Sequence, residues 1–169
     1  GGKPSPGSPA CTARPFILET RPDDEAAWTR LASLYQNAQR TADETRALAH
    51  VYRLAPTDAR ARQLVLRYRR GGDEAAEALV LLDLVKSGSA VAAELVRSAR
   101  LDAAFGRFER AAETLERLRR QHATAFAYPE MELYASLLID TGRATELARY
   151  LQPLPLVRER PLALSELAT

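Results

Sequence analysis

Two prolines 34 positions apart, Pro22 and Pro56, bracket the stretch that most constrains what this chain can fold into. Pro22-Asp23-Asp24 opens it, and Pro56-Thr57-Asp58 opens the next stretch in the same way. A proline stops the helix before it and suits the entrance of the one after it, where a short polar side chain can cap free amides. Between the prolines lie two amphipathic patterns. Trp28, Leu31, Ala32 and Tyr35 share a face of a first helix, and Leu48, Val51, Tyr52 and Leu54 share a face of a second. A helical hairpin of this size cannot bury its apolar faces alone, so it calls for neighbours of the same kind.

Composition agrees. Of the 169 residues 46% are apolar, enough for a substantial core, and Leu and Ala dominate while aromatic residues make up 7%. Straight-chain helix formers in that proportion predict an all-α fold. Every basic residue except Lys3 and Lys86 is Arg, and an Arg-plus-Ala bias of this kind points to a GC-rich bacterial source. A net charge of +2 gives no overall field that would draw in nucleic acid or an acidic membrane. Cys11 stands alone, which excludes an intrachain disulfide and a cysteine-built metal site. No apolar run approaches the roughly 20 residues of a membrane span, and none at the start has the form of a signal-peptide core. Ser8-Pro9-Ala10-Cys11 has the outline of a lipoprotein cleavage site, but without such a core it is read as linker.

Taken in order, residues 1–13 begin as a Gly, Ser and Pro tail with no core-forming pattern. Arg14 to Arg21 reads as the end of a preceding helix, with Phe16, Ile17 and Leu18 as its apolar contacts. In the first hairpin Asp23 and Asp24 cap a helix running to about Asn37. Thr41-Ala42-Asp43-Glu44 has the form of a capping box for its partner, which runs to about Leu54. The second hairpin carries Ala61, Leu64, Val65 and Tyr68, turns at Gly71-Gly72, and continues from Asp73 into Ala76, Leu79, Val80, Leu81, Leu82, Leu84 and Val85. So continuous an apolar run predicts burial on more than one side. Lys86-Ser87-Gly88-Ser89 is expected to end that helix and cap the next. The third hairpin carries Leu95, Ala99 and Leu101, turns at Gly106, and continues through Ala111, Leu115 and Leu118. Pro129 and Glu130 open a fourth, with Met131, Tyr134, Ala135 and Leu138, a turn at Thr141-Gly142-Arg143, then Leu147, Tyr150 and Leu151 before Pro153 and Pro155.

These residues resemble the tetratricopeptide repeat, a 34-residue helix-turn-helix unit that stacks into arrays. The first repeat supplies the family's large residue at Trp28, its Leu at Leu31, its small residue at Ala32 and its aromatic at Tyr35, with Leu48 and Pro56 further on. It departs at Gln39, where a turn Gly is usual, and at Glu44 and Val51, where small residues are preferred. Gly72, Gly106 and Gly142 repeat the turn at spacings of 34 and 36. The resemblance implies an all-α α-solenoid of about four antiparallel helix-turn-helix repeats, at about 22–57, 58–89, 90–122 and 128–152, within a repeat domain at 14–160. Residues 161–169 would begin a further helix or tail. A non-repetitive helical bundle and other stacked helical pairs, including the RNA-reading kind, are the competing folds.

The resemblance also implies a non-catalytic scaffold that binds a segment of another protein in a concave groove formed by the first helices. Its groove residues would be Thr29, Ser33, Gln36 and Asn37, then Arg62, Arg69 and Arg70, then Arg97 and Arg100, then Glu132, Ser136 and Asp140. Arginines there present paired donors and would suit an acidic segment. The competing reading makes them solvated surface, paired in part with Asp58, Asp73 or Glu94. Arg60, Arg62, Arg67, Arg69 and Arg70 lie close together but spread round their helix with no aromatic platform, which argues against nucleic acid. His50 and His122 are read as ordinary surface or helix-end residues without metal-ligand spacing, and Trp28 and Tyr35 as core. No nucleophile elbow, phosphate loop or dinucleotide fingerprint is present, so no enzyme activity, cofactor or metal is expected. Cytoplasm and periplasm both fit, and arrays of this kind serve bacterial envelope and export assemblies. The alternative function is self-association through uncapped apolar ends at 14–20 and 156–169.

Overall fold

A computed structural model describes residues 23–152, and these hold eight α-helices and one 3₁₀ turn. In chain order the helices are α1 Glu25–Asn37, α2 Thr41–Leu54, α3 Asp58–Gly71, α4 Glu74–Ser87, α5 Ala92–Ala104, α6 Phe108–Gln121, α7 Tyr128–Asp140 and α8 Ala144–Leu151. The 3₁₀ turn Ala123–Ala125 lies between α6 and α7. No strand occurs among the described residues. The tail at 1–13, the approach to Pro22, the stop at Pro153 and Pro155, and both ends invoked for self-association lie outside them.

Start signals in the sequence act locally. Asp24 caps α1, its Oδ1 accepting from the Ala27 amide at 2.9 Å. The Thr57 hydroxyl accepts from the Arg60 amide at 3.3 Å to cap α3, and Asp73 Oδ1 accepts from the Ala76 amide at 3.0 Å. Pro129 stands in the first turn of α7, where a missing N–H costs nothing.

Three expectations are corrected. Thr41 is not an N-cap: α2 begins at Thr41 itself, the preceding residue is Arg40, and no side chain caps that end. The connection is too tight for a box, because the Arg40 amide already bonds back to the Tyr35 carbonyl at 2.9 Å. Ser89 does not cap α5; that helix starts after Val91, whose amide donates to Glu94 Oε2 at 2.9 Å. Within the apolar run of α4, Leu79 is 59% exposed while Ala78, Val80, Leu81, Leu84 and Val85 are buried.

One turn recurs four times. Gln39, Gly72, Gly106 and Gly142 all have left-handed backbone, with φ of 57°, 73°, 71° and 69°. In each turn this residue's amide donates three residues back, and the next amide donates five residues back. The two bonds satisfy carbonyls that the ending helix leaves open. Gln39 thus occupies the place of the turn glycine, at a cost that glycine avoids.

The described chain forms two compact units, residues 23–84 and 85–152, divided within α4. In the first, α1 packs on α2 and α2 on α3. Its buried residues include Leu31, Ala47, Val51, Ala61, Leu64 and Leu81. In the second, α5 packs on α6, α6 on α7 and α7 on α8. Leu95, Ala99, Ala111, Leu115, Leu118, Tyr134, Leu137 and Leu138 form its core, with Phe126. Each fully buried Leu contributes about 2 kcal/mol, so these positions supply the driving force that caps and turns direct.

Candidate functional site

The first unit holds a pocket of about 220 Å³ built from three helices. Thr29, Ala32, Ser33 and Gln36 enter from α1, Glu44, Leu48 and Val51 from α2, and Arg60 and Gln63 from α3. The spacing of Thr29, Ser33 and Gln36 places them on one helical face, because three- and four-residue steps return to the same side. Both hydroxyls donate backward along α1, Thr29 to the Glu25 carbonyl at 2.9 Å and Ser33 to the Thr29 carbonyl at 3.1 Å. Their oxygens keep lone pairs for an incoming donor.

The charged walls of this pocket are already engaged. Glu44 is buried, and Arg67 holds it with two contacts, at 2.9 Å and 2.6 Å. Arg60 pairs with Glu25 and also donates to the Ala55 carbonyl at 2.8 Å. A buried carboxylate held this way ties one helix to the next with fixed geometry.

The same device decides the fate of several expected site residues. Arg69 donates to Glu77 at 2.8 Å, and Glu77 is fully buried. Arg100 donates to the buried Glu130 at 2.6 Å. Arg110 holds the buried Asp102 through two bonds, with Arg107 3.5 Å away. For Arg69 and Arg100 the acceptors are thus Glu77 and Glu130. In the cluster from Arg60 to Arg70, the guanidiniums of Arg60, Arg67 and Arg69 pair with Glu25, Glu44 and Glu77, which uses charge that a phosphate backbone would need.

Of the groove residues expected from sequence, Thr29, Ser33 and Gln36 meet in one pocket. Asn37, at the end of α1, does not line it. Arg62 is half-buried on α3, and Arg97 is half-buried on α5 of the second unit with Arg100 exposed beside it. Arg70, Glu132, Ser136 and Asp140 are exposed, and the Ser136 hydroxyl donates to the Leu133 carbonyl at 2.9 Å.

Two aromatic features went unread in the sequence. Trp28 and His50 stack with centroids 3.9 Å apart and planes 6° from parallel, so His50 is a packing residue and not a surface one. Burial pushes its imidazole below the ordinary range, helped by Arg53 and opposed by Asp23. In the second unit Phe126, Tyr134 and Tyr150 meet edge to face, with centroids 5.3 to 6.3 Å apart. They help line a pocket of about 560 Å³. Beside them Glu116 accepts from Arg119 and Arg120, and from the Tyr134 hydroxyl at 3.1 Å. Arg119 above all, then Arg120 and Tyr134, hold the Glu116 carboxyl down to about 2 against the effect of its burial. Burial and then the Glu116 charge push the Tyr134 phenol up to about 12. The signal available in the sequence was a concentration of aromatic residues from Phe126 to Tyr150.

No family model matches the chain, and no curated protein matches it in sequence. Solved structures do. A structure of MamA (AMB-1) has a TM-score of 0.54 at 16% identity, covering 91% of this chain and 86% of that one. A crystal structure of MamA has a TM-score of 0.49 at 15% identity, covering 83% and 81%. A Naa15/Naa10 structure bound to HypK-THB has a TM-score of 0.44 at 21% identity, covering 90% of this chain but 24% of that one. The fold conclusion rests on the first of these, a TPR-like protein. The fold is all-α, an α-solenoid of antiparallel tetratricopeptide-like hairpins, as the sequence pattern implied.

Proposed function

We propose that this chain is a protein-interaction scaffold without chemistry of its own, and that it holds an extended partner segment on the face built by the first helices of its repeats. The observation that carries this reading is the convergence of Thr29, Ser33 and Gln36 with Gln63 around one pocket. Small hydroxyls and amides beside engaged charges suit the main chain of an extended segment, which offers alternating donors and acceptors. A bacterial envelope or export assembly is the setting proposed for it.

The test uses residues whose replacement leaves the buried pairs intact. Changing Arg69 or Arg100 to Glu would strand Glu77 or Glu130 and confound binding with folding. Ser33→Arg with Gln36→Arg instead fills the pocket from exposed positions. Affinity capture from lysate of the source organism is run with both chains after their helical circular dichroism is matched. A partner captured by the native chain and lost by the double variant supports the reading. The same partner captured equally by both removes this face as the site.

A further inference from the structure

The 560 Å³ pocket of the second unit lies against α6, α7 and α8 and shares no residue with the face proposed above. Its walls combine Phe126, Met131, Tyr134 and Tyr150 with a charged rim of Arg119, Arg120 and Arg149 beside Glu116 and Glu146. The charges at that rim are unevenly used. Arg119 and Arg120 both bond to Glu116, and Glu146 bonds to Arg143 at 2.9 Å. Arg149 also lines the pocket, where its charge acts on Glu146 across a distance without a hydrogen bond or ion pair among the described residues. Next to it in the chain, the Tyr150 hydroxyl is buried with no hydrogen-bond partner among the described residues. That hydroxyl has no surface through which a ligand could reach it, so the open polar group of the pocket is Arg149.

What would occupy the pocket follows from these groups. Arg149 is exposed at the pocket's rim, and beside a guanidinium the strongest acceptor is a carboxylate. The aromatic and thioether walls require an apolar side chain next to that carboxylate, as in the anchor-and-rim arrangement of interaction hot spots. We propose that this pocket is a second docking site, and that its occupant is a partner-protein segment in which an aromatic or branched apolar side chain lies beside an acidic one. The proposal rests on the scaffold reading but on separate residues, and the two fail separately.

The test is fluorescence anisotropy with the whole chain and a short fluorescein-labelled peptide in which a Leu-Phe pair is flanked by Asp and Glu. A control peptide carries Lys at each acidic position. The expected result is saturable binding of the acidic peptide, loss with the lysine peptide, and weakening of roughly tenfold or more in Arg149→Glu. Arg149→Gln, which adds no repulsive charge, is expected to weaken binding less. Ser33→Arg is expected to leave this binding unchanged, so a failure of the first-unit face does not imitate a failure here. Absence of saturable binding to the native chain overturns the proposal, as does equal binding by Arg149→Glu. A photo-reactive phenylalanine in place of Met131 identifies the occupant. Cross-linking to the added peptide supports the proposal, and cross-linking to residues 153–169 of the chain itself, undiminished by peptide, overturns it.

Discussion

In the first unit Trp28 and His50 lie flat on each other, 3.9 Å between centroids, whereas in the second Phe126, Tyr134 and Tyr150 meet nearly at right angles. A parallel stack closes the space between its helices; three rings set edge to face leave concave room between them. The pocket beside the triad is more than twice the volume of the one in the first unit, which neither Trp28 nor His50 lines. Much else is shared. Both units use the left-handed turn, and both bury carboxylates under arginines, Glu44 and Glu77 in one, Asp102 and Glu130 in the other. The lesson is that small residues and leucines set the hairpin in both units, while the aromatic triad shapes the pocket of the second.

The largest effect is expected at a fully buried position of the second unit's core. Leu115→Ala removes a side chain with no exposed surface and should cost about 3 kcal/mol in denaturant unfolding followed by circular dichroism. Leu31→Ala in the first unit, at 8% exposure, should cost about 2 kcal/mol. Equal losses would contradict the difference in burial between these two positions.

Next come the buried pairs. Arg110→Ala leaves Asp102 with Arg107 alone and should destabilise by about 2 to 3 kcal/mol in the same assay. Arg69→Ala, whose guanidinium is half-exposed, should cost about 1 kcal/mol.

The aromatic sites separate by pH. His50 has a folded pKa below its ordinary 6.5, so the unfolded chain takes up the proton first, and stability is lost as pH falls from 6.5 through the lower folded value. Trp28 is the single tryptophan, so its emission is expected to change in that window and to lose the change in His50→Phe. In the second unit Glu116 is depressed from 4.5 to about 2, so its contribution is present above 4.5 and fades as pH falls toward about 2. Thermal midpoints of the native chain and Glu116→Gln should converge across that range. Parallel curves would break the assignment.

The smallest effect concerns the turn. Gly142→Gln should cost about 1 kcal/mol, because a side chain at φ 69° is strained. Gln39→Gly relieves that strain but adds freedom to the unfolded chain, for a net gain of about 0.5 kcal/mol.

Much of the fold was legible because its signals are local. Prolines, capping Asp24 and Asp73, and the turn glycines act within a few residues, and Leu and Ala periodicity marks the buried face. Gln39 departed from the repeat pattern yet takes the left-handed turn, since the flanking helices over-determine it. Glu44 departed too, and the reason is Arg67, 23 positions away on the next helix. Such partners depend on how hairpins stack, as do Tyr52 with Asp83 and Arg100 with Glu130, 31 and 30 positions apart. For that reason Thr29, Ser33 and Gln36 were found as one face, while the engagement of Arg69 and Arg100 and the aromatic pocket were not.

The most direct test of the scaffold reading is amide hydrogen exchange of the whole chain, free and with the captured partner. The account predicts slower exchange across 29–36 of α1 and 60–63 of α3 in the complex. A bound partner that leaves exchange in those segments unchanged would contradict it.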